Sequence, residues 1–300
     1  MVTVSRGLLD VYWLSRGDLR LGLVPALGGR LLSLSYQGVE LLWRNPALLD
    51  AALQPLDGRV PAPNSGRMGD WVNYGGDKTW PAPQGWEHDG QWPGPPDPVL
   101  DSGPYVTTVS GESVTMTSKP DRRTGLRLSR TFSLTPEGYE LVLRAENAGD
   151  RTVRWALWNV TQLPGDGTVT AGLAGRRAPV VPLIGEVPEY TVDGHLTVPS
   201  LEVVGKLGVP DSAGWVRWRR GDVALTLSFD VDRTAEYPDQ GSPLEIWLEH
   251  PLPAPLAELG DLDPPAHITE LEVLGPLTSL APRGATLLTI RATLGALLGK

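Results

Sequence analysis

Residues 126–145 read LRLSRTFSLTPEGYELVLRA. Leu126, Leu128, Arg130, Phe132 and Leu134 recur at every second position. Pro136-Glu137-Gly138 interrupts the run, and Tyr139, Leu141, Leu143 and Ala145 resume it. Side chains two apart share one face of a strand, so each half is a strand with one apolar face. A short Pro/Gly turn between two such halves makes an antiparallel hairpin.

The same period extends in both directions. Leu19, Leu21 and Leu23 alternate with polar or small residues, as do Leu32, Leu34 and Tyr36 before a Gln37-Gly38 turn. Val153, Trp155 and Leu157 follow the turn at Asn147 to Asp150. Val223, Leu225, Leu227 and Phe229 form a further strand pattern. Leu244, Ile246 and Leu248, then Leu271 and Val273, then Leu288 and Ile290 complete the series. One helix start stands out. Asn45 can cap, Pro46 suits the first turn, and Leu48, Leu49, Ala52 and Leu53 follow until Pro55 ends the run, which predicts a short helix. Strands recurring without helices between them predict an all-β, antiparallel sandwich. No composition break or internal repeat divides the chain, so residues 1–300 are expected to form one domain.

Composition narrows the function classes. The chain has 35 glycines and 29 prolines, which suits many turns. It has no cysteine, so disulfides, a thiolate nucleophile and a thiolate metal site are excluded. A formal net charge of −9 argues against nucleic acid and anionic membrane as partners. Met1 to Asp10 lacks a basic stretch followed by an apolar core, and no apolar run approaches the roughly 20 residues needed to span a bilayer. The expected location is the cytoplasm. His88, His195, His250 and His267 show no metal-ligand spacing, and no Gly-Lys-Ser/Thr loop occurs, so neither a metal nor a nucleotide cofactor is expected.

Tryptophan outnumbers phenylalanine, 11 against 2, and Trp71, Trp80, Trp86 and Trp92 fall between Pro61 and Pro104, where alternation fades. A loop this long is functional or disordered, and its aromatics argue against disorder. Residues 73–88 read NYGGDKTWPAPQGWEH. The glycine pair lets backbone approach a ligand. Around it stand Asn73, Tyr74, Asp77, Lys78, Trp80, Gln84, Trp86 and His88. Polar groups for vicinal hydroxyls and indole faces for a ring are what a sugar needs. The plainer reading is a polar loop pinned by an Asp77–Lys78 pair, its indoles covering the sandwich. Trp158, Asn159 and Gln162 sit where a strand end can line a cleft, and Arg30 follows Gly28-Gly29 toward the same ligand. Glu270 and Glu272 share one strand face while Leu271 and Val273 take the other. Two such carboxylates supply a general base and a neighbour that raises its pKa, or simply a solvated face. Glu245 and Glu249 carry the same ambiguity. His88 suits proton donation near neutrality.

These residues resemble the galactose mutarotase (aldose 1-epimerase) superfamily. Residues 23–31, LVPALGGRL, resemble its opening strand pair; Tyr74-Gly75-Gly76 with Trp80 resembles its Leu-His-Gly-Gly loop. Glu270-Leu271-Glu272 and the Leu280 to Gly284 turn resemble its late glutamate strand. The loop from Asn73 to Gln84 looks like the hallmark of a bacterial branch. The resemblance implies a β-supersandwich with a sugar cleft on one concave face. It also implies a glutamate that takes the anomeric proton, matched by Glu272 with Glu270 as the alternate register, and a histidine that protonates the ring oxygen. Two positions depart from the pattern: Tyr74 replaces the loop histidine, and Trp158 to Gln162 lack the acid histidine. His88 or Lys78 is left as the acid. The expected partner is a small sugar or a glycan end. The expected function is carbohydrate binding with acid–base epimerisation of a free or modified sugar, or non-catalytic carbohydrate binding or sensing in a retained cleft. Glycan cleavage needs a second strong acid near the base, for which no residue is assigned.

Overall fold

A computed structural model describes residues 1–88, 90–175 and 179–296. Two large antiparallel sheets, of twelve and ten strands among the described residues, pack face to face. The hairpin of residues 126–145 is formed, Leu126–Leu134 pairing with Gly138–Asn147 and the latter with Ala285–Ala296. Their inward residues, among them Leu128, Phe132, Leu141, Leu143 and Ile290, meet Leu157, Ile246 and Leu271 of the opposite sheet in one apolar core.

The opposite sheet carries the features that matter for function. Six of its strands are labelled here in chain order: β1 (Arg30–Tyr36), β2 (Asp77–Ala82), β3 (Val153–Pro164), β4 (Gly205–Gly208), β5 (Leu244–Glu249) and β6 (Ile268–Leu274). Across the sheet they run β1-β2-β3-β6-β5-β4. All six residues of β2 are buried, as are those of β5, and all seven of β6. Burial on both faces hides the apolar–polar alternation that marks a half-exposed strand. That is why the stretch around Asp77 to Trp80 reads as loop in the sequence although it forms a central strand. Gly75 and Gly76 lead into it with φ of +83° and +79°. A Cβ on either would collide with the Trp43 or Leu31 carbonyl, so glycine is required there. The segment from Asn45 to Leu53 forms turns rather than the predicted helix, with the Asn45 Oδ1 accepting the Ala47 N–H and Asp50 Oδ1 accepting those of Ala52 and Gln54. Side chains capping two or four residues ahead compete with helical backbone bonds. No helix among the described residues is long and apolar enough to cross a membrane.

Between the sheets lies a polar knot. Arg130 stands on the inward face of its strand and forms a fully buried ion pair with Asp77. Its Nη1 also donates to the carbonyls of Gly29 (2.6 Å) and Asp77 (2.9 Å). Asp77 Oδ2 accepts from Asn159 Nδ2 at 2.8 Å and from Thr161 Oγ1 at 2.6 Å. Removing one partner of a buried pair leaves an uncompensated charge. Asp77→Ala is therefore expected to destabilise the fold by about 3–5 kcal/mol, read as a lowered midpoint in denaturant unfolding. An effect under about 1 kcal/mol would show that the knot contributes little.

Candidate functional site

Period two along β2, β3, β5 and β6 sends alternate side chains to opposite faces of the sheet. Asp77, Thr79, Asn159 and Thr161 point inward, where Thr79 Oγ1 donates to Asn159 Oδ1 at 2.8 Å. Lys78, Trp80, Trp158, Gln162, Glu245, Trp247, Glu249, Glu270 and Glu272 take the other face. Register sets them side by side: Trp158 lies opposite Trp80, Gln162 opposite Glu270, Glu245 opposite Glu272, and Trp247 opposite both Glu270 and Lys206.

Over this face opens a cleft of about 450 Å³. Its floor is Trp80, Trp158, Lys206, Trp247, Glu249, Glu270 and Glu272. Around it stand Met68, Trp71, Gln84, Trp86 and Pro95 with Leu183, Ile184, Asp239, Gln240, Leu259 and Leu262, and the Gly69 N–H donates to the Gly260 carbonyl at 3.0 Å, joining the Met68 and Leu259 turns. The tryptophan wall is fastened at one carboxylate. Asp101 accepts the indole N–H groups of Trp71 and Trp80, each at 3.0 Å, and its Oδ1 meets Arg30 Nη2 at 2.5 Å. Trp80 packs edge-on to Trp71 and Trp158, with ring centroids 5.8 and 5.1 Å apart.

The floor is a charged array with two ends. At one, Lys206 Nζ bridges Glu245 Oε2 (2.9 Å) and Glu272 Oε2 (2.7 Å), lying 4.7 Å from the Trp158 ring centre. Trp158 Nε1 donates to the same Glu272 oxygen at 2.6 Å. At the other, Glu270 Oε1 accepts from Gln162 Nε2 at 2.5 Å and from Lys78 Nζ at 3.4 Å, while Trp247 Nε1 donates to Glu249 Oε2 at 3.1 Å. Glu245 Oε1, Glu249 Oε1, Glu272 Oε1 and Gln162 Oε1 are buried and accept nothing from the protein. Burial raises the pKa of Glu245 and of Glu272 against the pull of Lys206. Burial, then the charge of Glu270, lifts Glu249 to about 8. For Lys206 burial acts downward, but Glu245 and Glu272 together outweigh it and hold the ammonium above its ordinary range. Burial lowers Lys78 despite Glu270.

The structure thus brings together Trp80, Gln84, Trp86, Trp158, Glu270 and Glu272 at the cleft, with Lys78 and Gln162 behind Glu270. It places the other predicted residues elsewhere. Arg30 is buried beside Asp101 and does not line the cleft. Asn73 shapes the turn, its Oδ1 accepting the Gly75 N–H at 3.0 Å. Tyr74 packs among Leu9, Val11, Leu49 and Leu53. Asp77 and Asn159 face inward, and Asp77 pairs with Arg130 rather than Lys78. His88 is exposed and lines a separate depression with Arg123, Arg154 and Glu236, where Gly90 N–H donates to its Nδ1. Lys206, Trp247 and Trp71 are cleft residues that the sequence reading did not propose. Lys206 lies in a four-residue strand bounded by glycines, too short for a period. Among the described residues no group of three or more His, Cys, Asp or Glu is placed to hold a metal ion.

A family model described as a domain of unknown function (DUF4380) matches residues 11–291, and the chain belongs to that family. No curated protein matches the sequence. Among solved structures, a galactose mutarotase-like protein from Lactobacillus casei ATCC 334 superposes with a TM-score of 0.61 at 14% identity, over 95% of this chain and 99% of that one. One from Clostridium acetobutylicum gives 0.59 at 8% identity, over 99% of each chain. A galactose mutarotase related enzyme from Lactobacillus acidophilus gives 0.53 at 10% identity, over 95% and 97%. The fold is therefore the galactose mutarotase-like sandwich.

The raised Glu249 carboxyl has a consequence for stability. Between the unfolded value of 4.5 and the folded value of about 8 the native chain holds a proton that the unfolded chain has lost. Stability falls wherever the native state binds more protons as pH rises. The unfolding free energy is expected to decline across that window, and Glu249→Gln to flatten the decline. Denaturant unfolding at a series of pH values measures both slopes; equal slopes in the two proteins would show that Glu249 ionises normally.

Proposed function

We propose that the cleft binds a sugar and that the protein interconverts its anomers by acid–base ring opening, with Glu272 as the base. The observation that carries this reading is the state of Glu272. Its Oε2 is pinned by the Trp158 indole and the Lys206 ammonium, while its Oε1 is buried without a hydrogen-bond partner on a residue that lines the cleft. A buried carboxylate with one fixed and one free oxygen, its pKa raised by burial, is a stronger base than an exposed one. The indoles beside it offer flat faces to a sugar ring.

The proton traffic follows from the ion pair. Glu272 takes the proton of the anomeric hydroxyl as the bond between the anomeric carbon and the ring oxygen breaks and a carbonyl forms. Neutralising Glu272 removes part of the charge that holds the Lys206 proton, so the ammonium becomes a better acid as the reaction proceeds. Lys206 then protonates the ring oxygen. Rotation about the first carbon–carbon bond and reversal of both transfers give the other anomer and restore both groups. Lys206 takes the place offered above to His88 or Lys78: His88 is outside the cleft, and Lys78 lies behind Glu270.

A second reading, carbohydrate binding or sensing without turnover, is favoured by one observation: among the described residues no histidine lines the cleft. Following anomer interconversion by NMR or polarimetry over a panel of free sugars separates the two. Turnover is expected, and Glu272→Gln is expected to lower it about 100-fold or more while sugars still raise the melting temperature. Ligand-induced stabilisation without turnover would establish the second reading, and unchanged turnover in Glu272→Gln would remove Glu272 as the base.

A further inference from the structure

The two ends of the floor differ in charge balance. At the Glu272 end, one ammonium serves two carboxylates. At the other, Glu249 and Glu270 face Lys78, which lies 3.4 Å from Glu270 and is not in contact with Glu249. The charged groups around Glu249 are Glu270 and Lys78 beside it, Glu272, Glu245 and Lys206 further along the floor, and Asp239 on the wall. On this floor, among the described residues, the buried carboxylates are four, Glu245, Glu249, Glu270 and Glu272, and the buried ammonium groups two, Lys78 and Lys206. Among the described residues no arginine lines the cleft.

The unsatisfied atoms have one chemical sense. Glu249, only 2% exposed, lines the cleft and its buried Oε1 has no partner, and Gln162 Oε1 is likewise unpartnered behind Glu270. Among the described residues the unpartnered buried side-chain atoms of Gln162, Glu245, Glu249 and Glu272 are all amide or carboxyl oxygens; the unpartnered nitrogens belong to Arg30, Asn73 and Arg130, none of which lines the cleft. Buried acceptors require donors. A phosphate or carboxylate on the ligand would bring more acceptors and more negative charge. An ammonium brings three donors and the missing positive charge. The indoles suit it too: Lys78 Nζ already sits 4.8 Å and 5.2 Å from the Trp80 and Trp71 ring centres.

We propose that the ligand is a sugar carrying a protonated amine, held through that amine by Glu249 and Glu270 at the Trp247 end of the cleft. The proposal rests on the carbohydrate reading above and adds the substrate class. The amine and the Glu272–Lys206 pair occupy opposite ends of the floor, so binding one group leaves the other chemistry free. Before the amine binds, a proton on Glu249 offsets part of the excess negative charge, consistent with its raised pKa. An ammonium group displaces that proton, so binding releases it.

Isothermal titration calorimetry on the wild-type chain tests this with D-glucosamine, D-galactosamine and 6-amino-6-deoxy-D-glucose against D-glucose and D-galactose. At least one amino sugar is expected to bind roughly tenfold tighter than its neutral parent. Repeating the titration near pH 6.5 in buffers of different ionisation enthalpy should show release of about one proton with the amino sugar and none with the parent. In Glu249→Gln the affinity ratio should collapse toward one and the proton release vanish. Neutral parents binding as tightly as every amino sugar, or amine binding without proton release, would overturn the proposal while leaving the carbohydrate reading intact. If neither class binds, the carbohydrate reading itself fails, and this proposal with it.

Discussion

The parity of a strand, which side of the pleat each residue takes, governs everything this protein places. Asp77 and Lys78 are neighbours in sequence and on opposite sides of the sheet. One joins Arg130, Asn159 and Thr161 in the interior; the other stands behind the carboxylates of the cleft. A slip of one residue between β2 and β3 would exchange the two sets and put Arg130 against the wrong strand face. The buried Asp77–Arg130 pair therefore acts as a register pin. Its energetic value is modest against an apolar pair of equal volume, but it makes a shifted alignment very costly.

The cleft face shows how a sheet can carry dense charge at low exposure. Glutamates and lysines come from four strands, and all of these charged groups except Glu249, which Trp247 of its own strand holds, find their partners across a strand boundary. Cross-strand neighbours lie close enough for this, at separations that are regular in a sheet. The array is nonetheless incomplete, because carboxylates outnumber ammonium groups. Burial and like charge raise Glu245, Glu249 and Glu272 together, which favours protons taking up part of the difference.

The sandwich was legible because its strands keep one face apolar at period two, as Leu126 to Ala145 do. The late carboxylates were legible for the same reason: Leu271 and Val273 fix one face, so Glu270 and Glu272 must share the other. β2 was not legible, since both its faces are covered and its six residues include Pro81 and the Lys78–Trp80 pair. Without its parity, Asp77 and Lys78 could not be separated, nor Asn159 from Trp158 and Gln162. One signal did exist. Arg130 occupies an inward position in an otherwise apolar stripe, and a charge there demands a buried counterion. Asp77 answers that demand. Lys206 left no trace, because a four-residue strand between glycines has no period to read.

The fastening of Trp71, Trp80 and Arg30 to Asp101 bears on how a molecule enters and leaves. A wall whose indoles share one buried carboxylate with a guanidinium does not swing open piecemeal; freeing either ring costs a buried hydrogen bond and strands charge. Such a wall is a poor lid. The proposed ligand would pass over the more exposed margin, where Trp86 is 64% and Ile184 42% accessible. On that reading the margin sets residence time and the size of what passes, while the rigid floor sets chemical identity, and the two properties can drift independently as the chain diverges.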